Sequence, residues 1–201
     1  MNAQRCFGSH STAPRVRRPA SAVGTELDSY AAIVAHYEAN YQRQAAHELQ
    51  FFASQPDLAT AVRLAAYATT SAGKRHSHHT RRSLSTLRRA HEELTRCDLA
   101  ACRTFDELLR MVNDAIADID GVGELLVYDT ALSIGAFLGL EPDRIYLHAG
   151  TRVGALALGF ARGRQTLHVD QLPPEFWRLR SHEIEDCLCI YKHDLQRLAA
   201  V

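Results

Sequence analysis

A chain of 201 residues is long enough for one domain with a full core, or for two small domains sharing an interface. With 46% hydrophobic and 23% charged residues it has an ordinary globular composition, and no apolar run approaches the roughly 18 residues that a membrane-spanning helix requires. The 23 basic and 23 acidic residues cancel, but they are segregated: residues 1–24 hold four Arg and no acid, and residues 74–96 hold seven Lys or Arg against Glu92 and Glu93. From residue 97 onward ten basic residues stand against sixteen acidic ones, so attraction for a polyanion must come from the N-terminal half.

Residues 1–24 carry Ser, Pro, Gly and Arg without apolar periodicity and read as a disordered basic tail. Thr25 and Asp28 resemble a capping box for a long amphipathic helix through Tyr30, Ile33, Val34, Tyr37, Tyr41, Leu49 and Phe52, ending near Ser54. Ser54 and Pro56 suit the start of a second helix, with Leu58, Val62, Ala65 and Ala66 on one side and Gly73 at its end. A basic, His-rich loop over residues 73–82 separates it from a third helix capped by Ser83. Thr104 with Glu107 forms a capping box for a fourth, and Gly121-Val122-Gly123 turns the chain into a fifth that Gly139 ends.

Ile145 to His148 fits a strand or a helix, Ala149 to Phe160 a small-residue helix, and Ser181 to Leu198 a closing helix. The expected fold is all-α, one compact multi-helix domain over residues 25–201. Within it, residues 25–96 carry the N-terminal helices and basic loop, and 97–201 the hairpin. Five scattered cysteines, Cys6, Cys97, Cys102, Cys187 and Cys189, with no apolar signal core, point to a reduced, cytoplasmic protein.

Two stretches carry chemistry. In the loop, Lys74, Arg75, Arg81 and Arg82 place four cations around His76, His78 and His79, a composition suited to phosphate oxygens. His76 and His78 are also metal-ligating types, but adjacent Lys and Arg repel a cation and no Cys or carboxylate is near in sequence. No metal is therefore expected. Short nucleotide-binding and hydrolase motifs are missing, and no cofactor is implied. In the hairpin, Gly121, Val122 and Gly123 would offer backbone N–H groups to a phosphate at the start of the second helix. Asp129 is read as solvent-facing, and His182 with Asp186 as an exposed pair four residues apart.

Residues 105–140, FDELLRMVNDAIADI, DGVG and ELLVYDTALSIGAFLGL, resemble the helix-hairpin-helix motif of DNA-binding and DNA-repair proteins. The resemblance implies nucleic-acid binding. In the glycosylases that carry this motif a catalytic Asp lies about twenty residues past the second Gly, which makes Asp143 a weak candidate here. The chain departs from the pattern where those proteins carry Lys or Arg: Glu124 and Leu125 follow the second Gly, with Asp118 and Asp120 ahead. GKRHSHH and IYLHAGTRVGA also resemble segments of a bacterial protein family, and that likeness implies no activity. The readings left open are a nucleic-acid-binding protein, a helical scaffold with a protein partner or a homodimer interface, and an enzyme acting on DNA or a nucleotide.

Overall fold

The computed structural model describes residues 27–200. The expected tail, residues 1–24, and Thr25 of the expected capping box lie outside them. The described residues form an all-α fold with one two-stranded ladder, and none of their helices is long and apolar enough to cross a membrane.

The first long helix consists of α1 (Tyr30–Tyr37), a π-helical segment Glu38–Gln42, and α2 (Arg43–Ala53). Among the described residues its start is capped by Ser29, whose hydroxyl accepts from the Ala32 amide at 3.2 Å. Such a cap is worth about 1 kcal/mol. The π segment winds more residues into a turn than an α-helix does and shifts the apolar face around the axis. Ile33, Val34 and Tyr37 before it accordingly enter one core, and Phe52 after it enters another.

Helix α3 (Leu58–Ala66) begins at Asp57, whose carboxylate accepts from the Thr60 amide at 2.7 Å, not at Ser54 or Pro56. It stops at Tyr67, short of Gly73, because Ala68 turns left-handed with φ 50° and Thr69 then pairs with Arg75 in an isolated antiparallel bridge. Helix α4 (Leu84–Leu94) takes Ser83 as its cap, and α5 (Phe105–Ile116) takes Thr104. The Glu107 amide donates to Thr104 Oγ1 at 3.2 Å while the Glu107 carboxylate accepts from the Arg103 amide at 2.7 Å. Helix α6 (Glu124–Leu138) is apolar on most sides and forms the centre of the first core, where Val127, Ala131 and Ile134 meet Val62, Leu94 and Phe105.

Beyond Gly139, β1 (Ile145–Tyr146) pairs antiparallel with β2 (Thr166–Leu167), Ile145 opposite Leu167 and Tyr146 opposite Thr166. Helices α7 (Ala149–Ala157), α8 (Ser181–Ile190) and α9 (Lys192–Ala199) complete the fold, the closing helix breaking at Tyr191. The second core gathers Ile33, Tyr37, Ile145, Phe176, Ile184 and Leu188. Here α7 lies on the backbone of α8: a Cβ on Gly154 would stand 2.3 Å from the Leu188 carbonyl oxygen, and one on Gly150 2.6 Å from Cys189 Sγ. The cores do not divide at residues 96 and 97, since α5 and α6 join the first core and α1 joins the second.

Candidate functional site

The basic loop and the hairpin, distant in sequence, share one surface. After α3 the chain reverses through Gly73, and the Arg75 guanidinium donates to the Arg82 carbonyl at 2.9 Å, which closes the loop on itself. Arg82 in turn reaches the hairpin, its Nη2 lying 3.7 Å from where a Cβ on Gly123 would be. One turn into α4, Thr86 Oγ1 donates to the Asp120 carbonyl at 3.0 Å. Within the hairpin, Gly121 adopts φ 85°, and Gly123 (φ −132°) is the cap position of α6, with no side chain capping that helix. Val122 is half-buried, and Lys74 and Arg81 are exposed.

The carboxylates that set this hairpin apart do not all remain free. Glu124 is gripped by Arg152 of α7 through Nη1 at 3.0 Å and Nη2 at 2.6 Å. Such a two-point pair neutralises the acid that follows the second Gly. Asp118 and Asp120 stay exposed on the rim.

Beneath this surface runs a line of ionisable side chains in the seam between the two cores. His79, at the end of a 3₁₀ turn (Ser77–His79), is 1% exposed and its Nε2 lies 2.7 Å from Oδ2 of Asp129 on α6. Asp129 is therefore half-buried and bonded, not solvent-facing. His148 caps α7, its amide donating to Thr151 Oγ1 at 2.8 Å, and its Nε2 is bonded to buried Glu185 of α8. Next along α8, Asp186 accepts from the Tyr37 hydroxyl at 2.9 Å, and Glu183 accepts from Gln42 in the π segment at 2.9 Å. His182 is buried as well, so the expected exposed pair of His182 and Asp186 is corrected: α8 threads the centre of the second core.

Burial sets the protonation of this line. Desolvation, reinforced by the charge of Asp129, pushes the Glu185 carboxyl well above the usual carboxylate range. Desolvation and the adjacent Glu185 push Asp186 up to about 8. His148 is held below its usual value by desolvation, against the opposing pull of Asp129. Both directions favour the uncharged forms of the His148–Glu185 pair.

Asp143 lies apart from this line. Its side chain is 70% exposed and paired with Arg144 at 2.9 Å, and that hydrogen bond holds its carboxyl below the usual range. A groove of about 630 Å³ opens at the other end of the seam, where Gln42, Arg43, Arg178, His182 and Glu183 face Glu141. Sequence reasoning missed Asp129, His148, Glu185 and Asp186 as one group because their partners lie on different elements; the only local signal was the polar interruption at Tyr128-Asp129 in an apolar helix. Compared with protein-family models, with curated proteins and with solved structures, the chain has no match. What fold and site define is a class: an all-α domain with a basic loop laid against a helical hairpin, above a buried polar seam.

Proposed function

We propose that this chain binds nucleic acid through the surface made by the loop over residues 73–82, the start of α4 and the hairpin turn. The observation that carries the reading is the approach of the Arg82 guanidinium to Gly123, its Nη2 3.7 Å from where a Cβ would stand, which brings together a charge source and a backbone N–H source that are separate in sequence. Arg152 supports it by covering Glu124, the acid most adverse to a phosphate at this helix start. The division of labour follows: Lys74, Arg81 and Arg82 supply charge, Gly121 to Gly123 supply shape, and Arg75 serves as the latch of the loop.

The test is binding of fluorescently labelled duplex and single-stranded DNA and RNA over a range of salt concentrations, with wild type and a Lys74→Ala, Arg81→Ala, Arg82→Ala variant. Arg75 is left in place so that the loop keeps its shape. Each neutralised phosphate contributes about 0.9 to the slope of log affinity against log salt on duplex DNA, so three lost contacts flatten it by about 2.7. The loss should be alike for all sequences. A variant with unchanged affinity and slope refutes the reading, and a wild type that binds no nucleic acid at low salt leaves the scaffold with a protein partner in its place.

A further inference from the structure

We infer a binding site for one divalent transition-metal ion, formed by His76, His78 and Asp129. The candidate ligand atoms of the three side chains lie within 4.8 Å of one another. Around a tetrahedral ion with bonds of about 2.0–2.2 Å, donors stand roughly 3.4 Å apart, so rotation of the exposed His78 side chain closes the set. The turn that carries both histidines is closed by the His79 amide donating to the His76 carbonyl at 2.9 Å. Asp129 is oriented by the His79 ring on its Oδ2 at 2.7 Å, the outer support that ligating carboxylates commonly have, and Oδ1 is the oxygen an ion would take.

A buried polar atom beside the site is also left unpartnered. Nδ1 of the His79 ring, which is 1% exposed, has no hydrogen-bond partner among the described residues. The ring centre lies 5.9 Å from that of His76. An unpartnered buried polar atom costs free energy, and a water bound beside the site would satisfy this one.

The repulsion expected from neighbouring cations is reduced by the fold, because Arg75 is directed at the Arg82 carbonyl and Arg82 lies against Gly123. Two imidazoles and one carboxylate without a thiolate suit zinc, cobalt(II) or nickel(II) rather than magnesium or calcium. An ion with three protein ligands keeps a position for water or for a phosphate oxygen. That last use rests on the nucleic-acid reading, whereas the metal binding does not.

The test uses the full chain stripped with a chelator. Zinc is titrated calorimetrically, and cobalt(II) is titrated while its visible absorption is followed. Wild type should take up one ion per chain with a Kd in the micromolar range or tighter. His76→Ala, His78→Ala and Asp129→Asn should each weaken binding at least tenfold and lose the cobalt band, while His193→Ala on α9 changes neither. His78 is exposed on its turn, so His78→Ala keeps the fold and remains decisive should Asp129→Asn disturb it. No uptake by wild type, or uptake unaltered in all three variants, overturns the inference. Loss of nucleic-acid binding with metal uptake intact would overturn only the function proposed above.

Discussion

Replacing Gly154 by Ala tests how the buried seam is held together. The added methyl carbon would stand 2.3 Å from the Leu188 carbonyl oxygen and 2.9 Å from the Leu188 carbonyl carbon and Cα. All three are backbone atoms of α8, so no side chain can swing away, and α7 must move off by about 1 Å to restore ordinary contact. Overpacking of this kind costs about 1–3 kcal/mol, and the better helix propensity of Ala returns at most about 1 kcal/mol. The net loss should be about 1–2 kcal/mol, which lowers Tm by about 2–8 °C in a chain of this size. His148 caps α7 and Glu185 sits on α8, so the same displacement stretches the bond between them. Thermal and urea unfolding followed by circular dichroism measure the loss. Gly163→Ala serves as the control, since a Cβ there meets nothing within 4 Å and should change stability by less than about 0.5 kcal/mol. A Gly154→Ala variant that melts at or above the wild type would refute the close crossing of α7 and α8.

Gly121 and Gly123 should differ in their tolerance of a side chain. Gly121→Ala must hold φ 85° and meets Thr86 Oγ1 at 3.2 Å, so it should cost about 1–2 kcal/mol of unfolding free energy. Gly123 has an extended φ of −132° and its nearest neighbour is Arg82 at 3.7 Å, so Gly123→Ala should lie within about 0.5 kcal/mol of wild type. The reverse order in urea unfolding would contradict the turn. For pH, the raised carboxyl of Asp186 favours folding while protonated, so its contribution is complete below about pH 4 and is lost as pH climbs toward 8. The lowered values of His148 and His182 act oppositely, removing stability as pH falls below about 6.5, so above pH 7 the loss comes from the raised acids. From pH 7 to 8 wild type should lose about 1 kcal/mol more than Asp186→Asn, with Glu185 contributing in both; equal losses would remove Asp186 as the cause.

The sequence by itself determined the helical character of the chain and several helix ends, because those rest on groups three or four residues apart. Ser83 and Thr104 cap α4 and α5 as their spacing implies, and Gly139 ends α6 in a left-handed turn. Local signals were weaker where competing residues stood side by side. Asp57 outcompeted Ser54 and Pro56 for the start of α3, and the break at Tyr191 left no breaker residue to read. Ile145 to His148 was ambiguous because a two-residue strand exists only through its partner at Thr166 and Leu167.

Tertiary structure alone decided the site. His79 meets Asp129 across 50 residues, His148 meets Glu185 across 37, and Tyr37 meets Asp186 across 149. Acids on a helix are ordinarily placed in water because burying an unpaired charge is costly, and this is why Asp186 reads as surface. Tyr37 on α1 and His148 at the start of α7 supply the hydrogen bonds, and burial favours the protonated carboxyls, that let Asp186 and Glu185 stay inside. The loop and hairpin each announced themselves in the composition, but their meeting at Arg82 and Gly123 depends on where α4 lies against the turn. No interval along the chain encodes that distance.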